Sequence, residues 1–362
     1  MNSIKSLEAA IDPKNKLTFL LDWELTMKCN LDCDYCETGL YGGHDNTQLH
    51  PSAEDCFKTI DFMYAYVDRV MKTRRVNLRH VILNVYGGES LNHPNIVQIL
   101  EEVNKQYKSL NACWSLTVGV TTNAIVAKDK FRQIVNLVDE FTVSWHSQNT
   151  EKQKTLCRDN LLYLKQQNKS LKCVIMMHPT YFKDSQEQIE WCKENQIKCL
   201  PKQIDHHPTS TQFYYTTKQI IWFENLYKRK IDPVLDSQGQ VDLASTGRPC
   251  CGGRELCADS NFNNPQKFVK NNFMSWFCSV DSFFLYIKQV NGEIYVNKDC
   301  KMNYQGNRGP IGNLNATDII LEQIGKTPVI QCKNHRCLCG LCAPKAENLD
   351  TFRSVMAKYQ TV

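Results

Sequence analysis

Apolar residues in the first two thirds of the chain follow two alternating patterns. Short, nearly continuous apolar runs predict buried strands, and longer segments whose apolar residues recur every three or four positions predict helices. Nearly continuous apolar strands that alternate with helices indicate a parallel sheet whose outer face is covered by helices. The strands are expected at 17–26, 80–86, 115–122, 140–146, 171–178 and 198–204.

The helices expected between these strands complete six strand–helix units. Six units are too few for a closed eight-stranded barrel. The pattern therefore predicts an α/β fold, a partial (β/α)6 TIM-like barrel. Helical spacing begins at about residue 51 and returns at 95–107, 128–138, 161–164, 186–195 and 218–230.

The pattern changes after the last of these helices. Residues 231–272 are rich in Gly, Asn, Asp and Pro, which is typical of irregular structure. Beyond them, Asn291 and Gly292 separate two alternating apolar runs and predict a β-hairpin at 282–296. We therefore expect an N-terminal tail at 1–16 and the partial barrel at 17–235. A smaller, cysteine-rich α+β extension (hairpin plus helix) is expected at 236–362.

Three cysteines follow the first predicted strand in a CxxxCxxC spacing: Cys29, Cys33 and Cys36. A [4Fe-4S] cluster is held by cysteine thiolates, and three thiolates this close together can hold three irons and leave the fourth open. An open metal position is a site for a further ligand. A structural zinc would need a fourth ligand, and no Cys or His follows at zinc-finger spacing. The nearest candidate, His44, lies in a Gly-rich polar loop. The triplet therefore favours a cluster with an open iron.

The triplet, its position after the first strand and the order of the units that follow resemble the radical S-adenosylmethionine (SAM) enzymes. In that family the open iron binds the amino and carboxylate groups of SAM, and the reduced cluster cleaves SAM to methionine and a 5′-deoxyadenosyl radical. The resemblance implies a partial barrel over about 17–204 and a radical SAM oxidoreductase or modifying enzyme that abstracts a hydrogen atom from its substrate. It also implies an electron donor such as a flavodoxin or a ferredoxin.

Further residues resemble the cofactor-binding motifs of the family. Gly87, Gly88 and Glu89 end the second strand, where glycines let the backbone approach a ligand closely, and the corresponding family motif binds the SAM amino group. Tyr35 has the position at which the family usually has an aromatic residue near the adenine of SAM. Asn123 is similar in position to a family residue that contacts the ribose of SAM. Without the resemblance, Glu89 could be a solvated residue of a strand-to-loop turn, and Asn123 could be an ordinary polar loop residue.

Polar residues at the ends of the later strands are candidates for contacts inside the barrel. Ser144 and His146 share one face of the fourth strand because side chains alternate along a strand. His178 ends the fifth strand, and Lys202 lies in the sixth. We expect Ser144 to contact the cofactor and His146 and Lys202 to be catalytic, although a histidine at a strand end is commonly a core or rim residue.

A second group of cysteines lies in the C-terminal third of the chain. The predicted hairpin brings two of them together, and four more lie within one short stretch. The group resembles the SPASM/twitch extensions of radical SAM enzymes, which bind one or two auxiliary [4Fe-4S] clusters. Its spacing departs from the full SPASM pattern, and zinc would also accept thiolates. The expected ligands of one auxiliary cluster, or two, are Cys278, Cys300, Cys332, Cys337, Cys339 and Cys342.

The composition is that of a globular protein with reduced thiols. The 362 residues are 42% hydrophobic and 22% charged, and the net charge of +5 is too small to indicate a nucleic-acid partner. The 18 cysteines do not follow the spacing of a secreted disulfide scaffold. Residues 1–16 lack the apolar region of a signal peptide, and no run has the length of a membrane span. We expect a cytoplasmic, oxygen-sensitive protein without a membrane partner.

These motifs leave the substrate open. Extensions of the SPASM/twitch kind are common in peptide-modifying members, so a peptide or protein side chain is the leading prediction. Oxidation or epimerisation of a small polyol or sugar is the alternative within the family. A non-catalytic iron–sulfur or zinc scaffold is the alternative outside it, and Gly87, Gly88 and Glu89 beside the triplet speak against that scaffold.

Overall fold

The central element of the protein is a sheet built from six consecutive parallel strands. The computed structural model describes residues 6–7, 18–36, 50–204, 215–227, 234–235, 241–242, 275–297, 309–324, 326, 329–333 and 344–360. After a short strand β1 (Ser6–Leu7), each strand of the sheet pairs in parallel with the next along the chain. These are β2 (Thr18–Thr26), β3 (His80–Gly87), β4 (Ser115–Thr122), β5 (Glu140–His146), β6 (Ser170–Met176) and β7 (Cys199–Lys202).

One helix connects each strand of this series to the next, and a sixth follows β7. They are α1 (Ala53–Arg74), α2 (Ile96–Ser109), α3 (Lys128–Val135), α4 (Glu151–Gln166), α5 (Phe182–Glu194) and α6 (Thr217–Tyr227). The order confirms the predicted α/β class with six strand–helix units of a partial barrel. None of the helices in the described ranges has the length and apolar character needed to cross a membrane.

Strand β5 illustrates how the sequence divides the two faces of the sheet. Phe141, Val143 and Trp145 are at most 2% exposed and belong to the hydrophobic core that the sheet shares with the helices. Because neighbouring side chains alternate, the half-buried residues lie on the opposite face, towards the barrel interior: Thr142, Ser144 and His146. Ser144 and His146 therefore share a face, as their spacing predicts.

Polar side chains define where the longest helices begin. The Ser52 hydroxyl accepts a hydrogen bond from Asp55 N at 3.1 Å and caps α1. Thr150 and Gln153 form a reciprocal capping box at the start of α4. Each satisfies backbone N–H groups that have no partner within the helix, so α1 begins close to the start predicted from the sequence.

The boundaries of a few elements differ from those expected. Strand β6 ends at Met176, two residues before the predicted end, because His178 N turns back to Met176 O at 2.9 Å and Pro179 has no N–H for the ladder. Helix α5 begins at Phe182, four residues earlier than predicted. Helix α3 ends at Val135, three residues early, and Leu137 N bonds instead to Ile134 O.

The C-terminal hairpin extends the barrel sheet. A small ribbon, β8 (Val234–Leu235) with β9 (Val241–Asp242), and the short strand β10 (Phe277–Cys278) precede it. The hairpin consists of β11 (Phe284–Lys288) and β12 (Glu293–Tyr295), whose turn contains Gly292 with φ of 69°. Strand β11 pairs in parallel with β2, and β13 (Gly312–Asn313) pairs with β12. The sheet therefore has the order β13-β12-β11-β2-β3-β4-β5-β6-β7.

A second, smaller sheet joins the first described residues to the C-terminal region. Its order is β1-β15-β10-β14, where β14 is Ile330–Gln331 and β15 is Lys345–Ala346. Helix α8 (Leu349–Ala357) packs against this sheet, whereas α7 (Thr317–Gln323) packs against β13 and α1. The domain division expected at residue 235 remains a prediction, and the nine-stranded sheet itself continues across it.

A buried ion pair fastens the C-terminal region to the barrel. Arg74, the last residue of α1, contacts Asp281 with Nη2 and Oδ2 2.8 Å apart, and the Asp281 side chain is 5% exposed. Burial raises the pKa of Asp281, and the Arg74 guanidinium opposes that rise. Since a buried carboxylate is costly without its partner, the pair favours one arrangement of the two regions.

Candidate active site

Gly87 and Gly88 hold the start of the cysteine-bearing loop through backbone contacts. Gly88 N donates to Thr26 O and Glu89 N donates to Lys28 O, both at 2.7 Å. A Cβ on Gly87, whose φ is 152°, would lie 2.1 Å from Thr26 O, and one on Gly88 would lie 2.3 Å from Lys28 O. Only glycine lets the end of β3 run this close to the loop that leaves β2.

We expect Gly88→Ala to destabilise the protein by about 1–3 kcal/mol, because the added methyl group collides with a backbone carbonyl that cannot turn away. The midpoint of urea unfolding measures the change. Gly119→Ala in β4 is the matched control, since a Cβ there would lie 3.7 Å from its nearest neighbour, an ordinary contact. Equal midpoints for the two variants would contradict the steric argument.

The loop that follows carries the three predicted iron ligands. It contains a turn in which Cys36 N donates to Cys33 O at 3.0 Å. Cys33 is 9% exposed and packs with Leu31, Tyr35 and Ile204 in a small hydrophobic cluster, and Cys29 and Cys36 contact the same cluster. The structure therefore brings all three sulfur-bearing residues to one place at the carboxyl end of β2.

The chemistry of these thiols fits an iron–sulfur cluster with three cysteine ligands. Burial raises the pKa of Cys29 and of Cys33 to about 12, and the neighbouring thiols add to the rise. A bound metal takes the place of the proton on such a thiol. Among the described residues, no three His, Cys, Asp or Glu side chains already surround one metal position.

Glu89 is fully buried and accepts three hydrogen bonds from the protein. Its Oε1 accepts from Leu91 N at 3.1 Å and from Thr122 Oγ1 at 2.7 Å, and its Oε2 accepts from Asn123 N at 2.6 Å. Burial raises the pKa of Glu89, and these hydrogen bonds oppose the rise. The carboxylate thus joins the end of β3 to the end of β4.

Asn123 joins the end of β4 to the cysteine loop. Its Nδ2 donates to Asn30 Oδ1 at 2.7 Å, and its Oδ1 accepts from Ile125 N at 2.8 Å. Asn30, next to Cys29, returns a bond from its Nδ2 to Ile125 O at 2.9 Å. A carboxamide has two N–H groups and two lone pairs, so these two bonds use one of each.

Tyr35 and His146 lie together beside Cys33. The Tyr35 hydroxyl is 2.7 Å from His146 Nδ1 and 3.2 Å from Gln148 Oε1, and the two rings are nearly parallel at 14°. Cys33 Sγ lies 3.5 Å from the same His146 Nδ1. Burial lowers the pKa of His146 to about 4, so its imidazole is neutral at physiological pH.

His178 also packs near Tyr35 and contacts the cysteine loop. Its Nδ1 accepts from Thr180 N at 3.1 Å, so its proton is on Nε2, which lies 3.3 Å from Asp34 Oδ2. The rings of His178 and Tyr35 have centroids 5.8 Å apart. The histidine, placed by the turn after β6, thereby supports the loop between Cys33 and Cys36.

Strand register places the predicted catalytic pair in one row. His146 of β5 is opposite Met176 of β6, and Met176 is opposite Lys202 of β7. At ~4.8 Å per strand, His146 and Lys202 are about 10 Å apart along the row. Lys202 is exposed, and Ser144 is half-buried two residues before His146.

The two described C-terminal cysteines lie on one face of the small sheet. Cys278 pairs with Ile330, and Cys332 N donates to Trp276 O at 2.9 Å, so the cysteines are diagonal neighbours across β10 and β14. They are 5% and 8% exposed, respectively. The other expected ligands lie outside the described residues: Cys300, Cys337, Cys339 and Cys342.

Sequence reasoning missed three polar residues of the site, Asn30, Asp34 and Gln148. Asn30 and Asp34 lie between the cysteines, where polar side chains are expected for solubility alone. Gln148 follows β5 by two residues. The available signal was their position beside predicted site residues, but their partners lie 93 to 144 residues away in the chain.

The fold is similar to that of solved structures that contain SAM. Streptococcus suis SuiB bound to S-adenosylmethionine matches over 90% of this chain and 71% of its own, with a TM-score of 0.50 and 14% identity. Native anSMEcpe with bound AdoMet matches over 94% and 96%, with a TM-score of 0.50 and 12% identity. A further anSMEcpe structure, with AdoMet and the Cp18Cys peptide, matches over 84% and 80%, with a TM-score of 0.47 and 12% identity.

These neighbours are radical SAM enzymes, and at this level of identity the likeness concerns the fold. The chain spans 66% and 71% of the SuiB chain in two structures of that protein. No protein-family model matches the sequence, and no curated protein matches it in sequence. The chain therefore has the fold that these enzymes share.

Proposed function

We propose that the protein is a radical SAM enzyme in which Cys29, Cys33 and Cys36 hold a [4Fe-4S] cluster with an open iron. The observation that supports this most is the gathering of the three thiols on one loop at the carboxyl edge of a partial barrel, where such folds place their active sites. When bound, the cluster supplies the electron that splits SAM into methionine and a 5′-deoxyadenosyl radical, which takes a hydrogen atom from the substrate.

The chain's own residues would form the edge on which SAM lies. Gly87 and Gly88 let the end of β3 lie directly against the start of the cysteine loop, and Asn123 retains one N–H group and one lone pair for the ribose. Glu89 uses three of the roughly four acceptor sites of a carboxylate, and we assign the fourth to the SAM ammonium group. Because Glu89 is fully buried, SAM would have to displace groups that cover it. Tyr35 presents an aromatic ring for the adenine.

The barrel interior next to this edge would receive the substrate. Ser144 is half-buried on the interior face and would contact the cofactor, and Lys202 lies further along the same row of strands. We propose a peptide or protein side chain as the substrate, on the resemblance of the C-terminal cysteines to SPASM/twitch extensions. A flavodoxin or ferredoxin would deliver the electron.

The C-terminal cysteines would hold one auxiliary [4Fe-4S] cluster, or two. Cys278 and Cys332 support this because both sulfur-bearing side chains are buried on one face of the same small sheet. The site would need further thiolates, and the proposed sources are Cys300, Cys337, Cys339 and Cys342. An auxiliary cluster would accept an electron from the substrate radical or bind the substrate.

The test of the proposed function is SAM cleavage by the full chain. Protein reconstituted anaerobically with iron and sulfide and reduced with dithionite is expected to convert SAM into 5′-deoxyadenosine and methionine in equal amounts. The products are measured by chromatography, with SAM and dithionite alone as the blank. Reconstituted protein that binds four or more irons per chain and still yields only the blank level of 5′-deoxyadenosine would refute the proposal.

A further inference from the structure

We propose that His146 is a positioning residue whose Nδ1–H donates to the sulfur of Cys33 and helps to set the reduction potential of the cluster that Cys33 holds. Tyr35 and Gln148 fix the direction of that N–H group. The inference rests on the proposed function, and it gives His146 a role different from the action on substrate expected from its strand-end position.

The imidazole is held at the cysteine loop by two contacts on one nitrogen. His146 Nδ1 lies 2.7 Å from Tyr35 Oη and 3.5 Å from Cys33 Sγ. The near-parallel packing of the His146 and Tyr35 rings, with centroids 5.9 Å apart, fixes the plane in which Nδ1 points. The nitrogen is therefore directed at the hydroxyl and the sulfur together.

The position of the proton follows from the order of donors and acceptors. Gln148 presents Oε1 to Tyr35 at 3.2 Å, and a carbonyl oxygen can only accept. With Gln148 Oε1 as the acceptor of the Tyr35 hydroxyl proton, the Tyr35 oxygen accepts in turn. We assign the proton that completes this order to His146 Nδ1, which lies within reach of both Tyr35 Oη and Cys33 Sγ.

A donor at this sulfur affects electron transfer more than substrate binding. Hydrogen bonds to the sulfurs of an iron–sulfur cluster are among the factors that set its reduction potential. Reduction adds negative charge, which an N–H group aimed at the sulfur stabilises, so the donor makes the cluster easier to reduce. Because SAM cleavage begins with the reduced cluster, His146 would act through Cys33 without touching SAM or substrate.

Replacement of the imidazole by isosteres of its two nitrogens tests this. Asn places its N–H₂ near the position of Nδ1, Gln places it near Nε2, and Leu has no donor. We expect His146→Leu and His146→Gln to lower the ratio of reduced to oxidised cluster about tenfold at a fixed solution potential. This corresponds to a shift of ~59 mV in the reduction potential of the cluster. The ratio in His146→Asn should stay near that of the parent. Thr142→Val, on the same face of β5, is the matched control and should leave the ratio unchanged.

The readout is a redox titration of the triplet cluster followed by electron paramagnetic resonance, without SAM. Parent-like titration of both His146→Leu and His146→Gln, or a shift in His146→Asn as large as that in His146→Leu, would overturn the proposal. If His146→Leu does not assemble its cluster, His146→Gln decides the matter by itself. A parent protein that shows no reducible cluster would instead refute the proposed function, so the two failures are distinguishable.

Discussion

Simultaneous replacement of Cys29, Cys33 and Cys36 by alanine is expected to abolish SAM cleavage while leaving the barrel folded. The triplet supplies every proposed protein ligand of the SAM-binding cluster, and each such cluster needs its thiolates. The fold should persist because the loop leaves β2 after the strand has formed all its ladder contacts with β3. The measurement is 5′-deoxyadenosine formed per chain after anaerobic reconstitution.

The iron content of the same variant separates the clusters. Much of the iron held by the C-terminal cysteines should remain, so the triple variant should lose about four irons per chain relative to the parent. Cys113→Ala is the control, because Cys113 is exposed and lies on the connection before β4. Cleavage at the parent rate by the triple variant would rule out the triplet as the site of SAM chemistry.

Replacement of Glu89 by glutamine is expected to destabilise the protein by about 2–4 kcal/mol. The carboxylate accepts from three donors at zero exposure, whereas a carboxamide must turn its N–H₂ towards at least one of them. Hydrogen bonds to a charged acceptor contribute ~1.5–3 kcal/mol each. The urea midpoint of cluster-free protein measures the loss, and Glu101→Gln, at an exposed position of α2, should leave the midpoint unchanged.

The same variant tests the proposed contact with SAM. If the fourth acceptor site of Glu89 takes the SAM ammonium group, the reconstituted variant should bind SAM one to two decades more weakly, roughly the value of one charge-assisted hydrogen bond. Calorimetry below the unfolding range measures the affinity. A variant with a lowered urea midpoint and parent affinity would make Glu89 a purely structural residue.

The repeating architecture was accessible from the sequence because each of its signals is local. The strand from His80 to Gly87 and the helix that begins after Ser52 are set by apolar periodicity and by a capping side chain. The end of β6 was not predicted correctly. The apolar run predicts a longer strand, and the turn at His178 and Pro179 ends the strand earlier. The class of fold was predictable, and element boundaries were less so.

The site was predictable as a set of residue types and not as a set of contacts. The spacing of the triplet identifies Cys29, Cys33 and Cys36 as candidate ligands. It contains no information that Asn30 is fixed by Asn123, because the two are 93 residues apart in the chain. For the same reason, the sequence could not indicate that Glu89 is already bonded to three protein groups. Such contacts depend on how the strand ends meet.

The parallel pairing of β11 with β2 has a consequence for biosynthesis. Trp23 Nε1 donates to Gln289 Oε1 at 2.9 Å across 266 residues of chain. A ribosome adding ~5–20 residues per second needs about 13–50 s to make that interval. From the synthesis of β3 until that of β11, β2 has β3 on one side and an unpaired row of N–H and C=O groups on the other, a template for strand addition by another chain.

The cysteine loop leaves this same strand, so the nascent protein carries the three proposed iron ligands next to an open sheet edge. Strand β11 closes that edge when it pairs with β2, and of the proposed C-terminal ligands only Cys278 precedes it in the chain. A chaperone that shields the edge of β2 during translation would protect both the sheet and the thiols. Iron delivery after release from the ribosome would then meet a finished sheet.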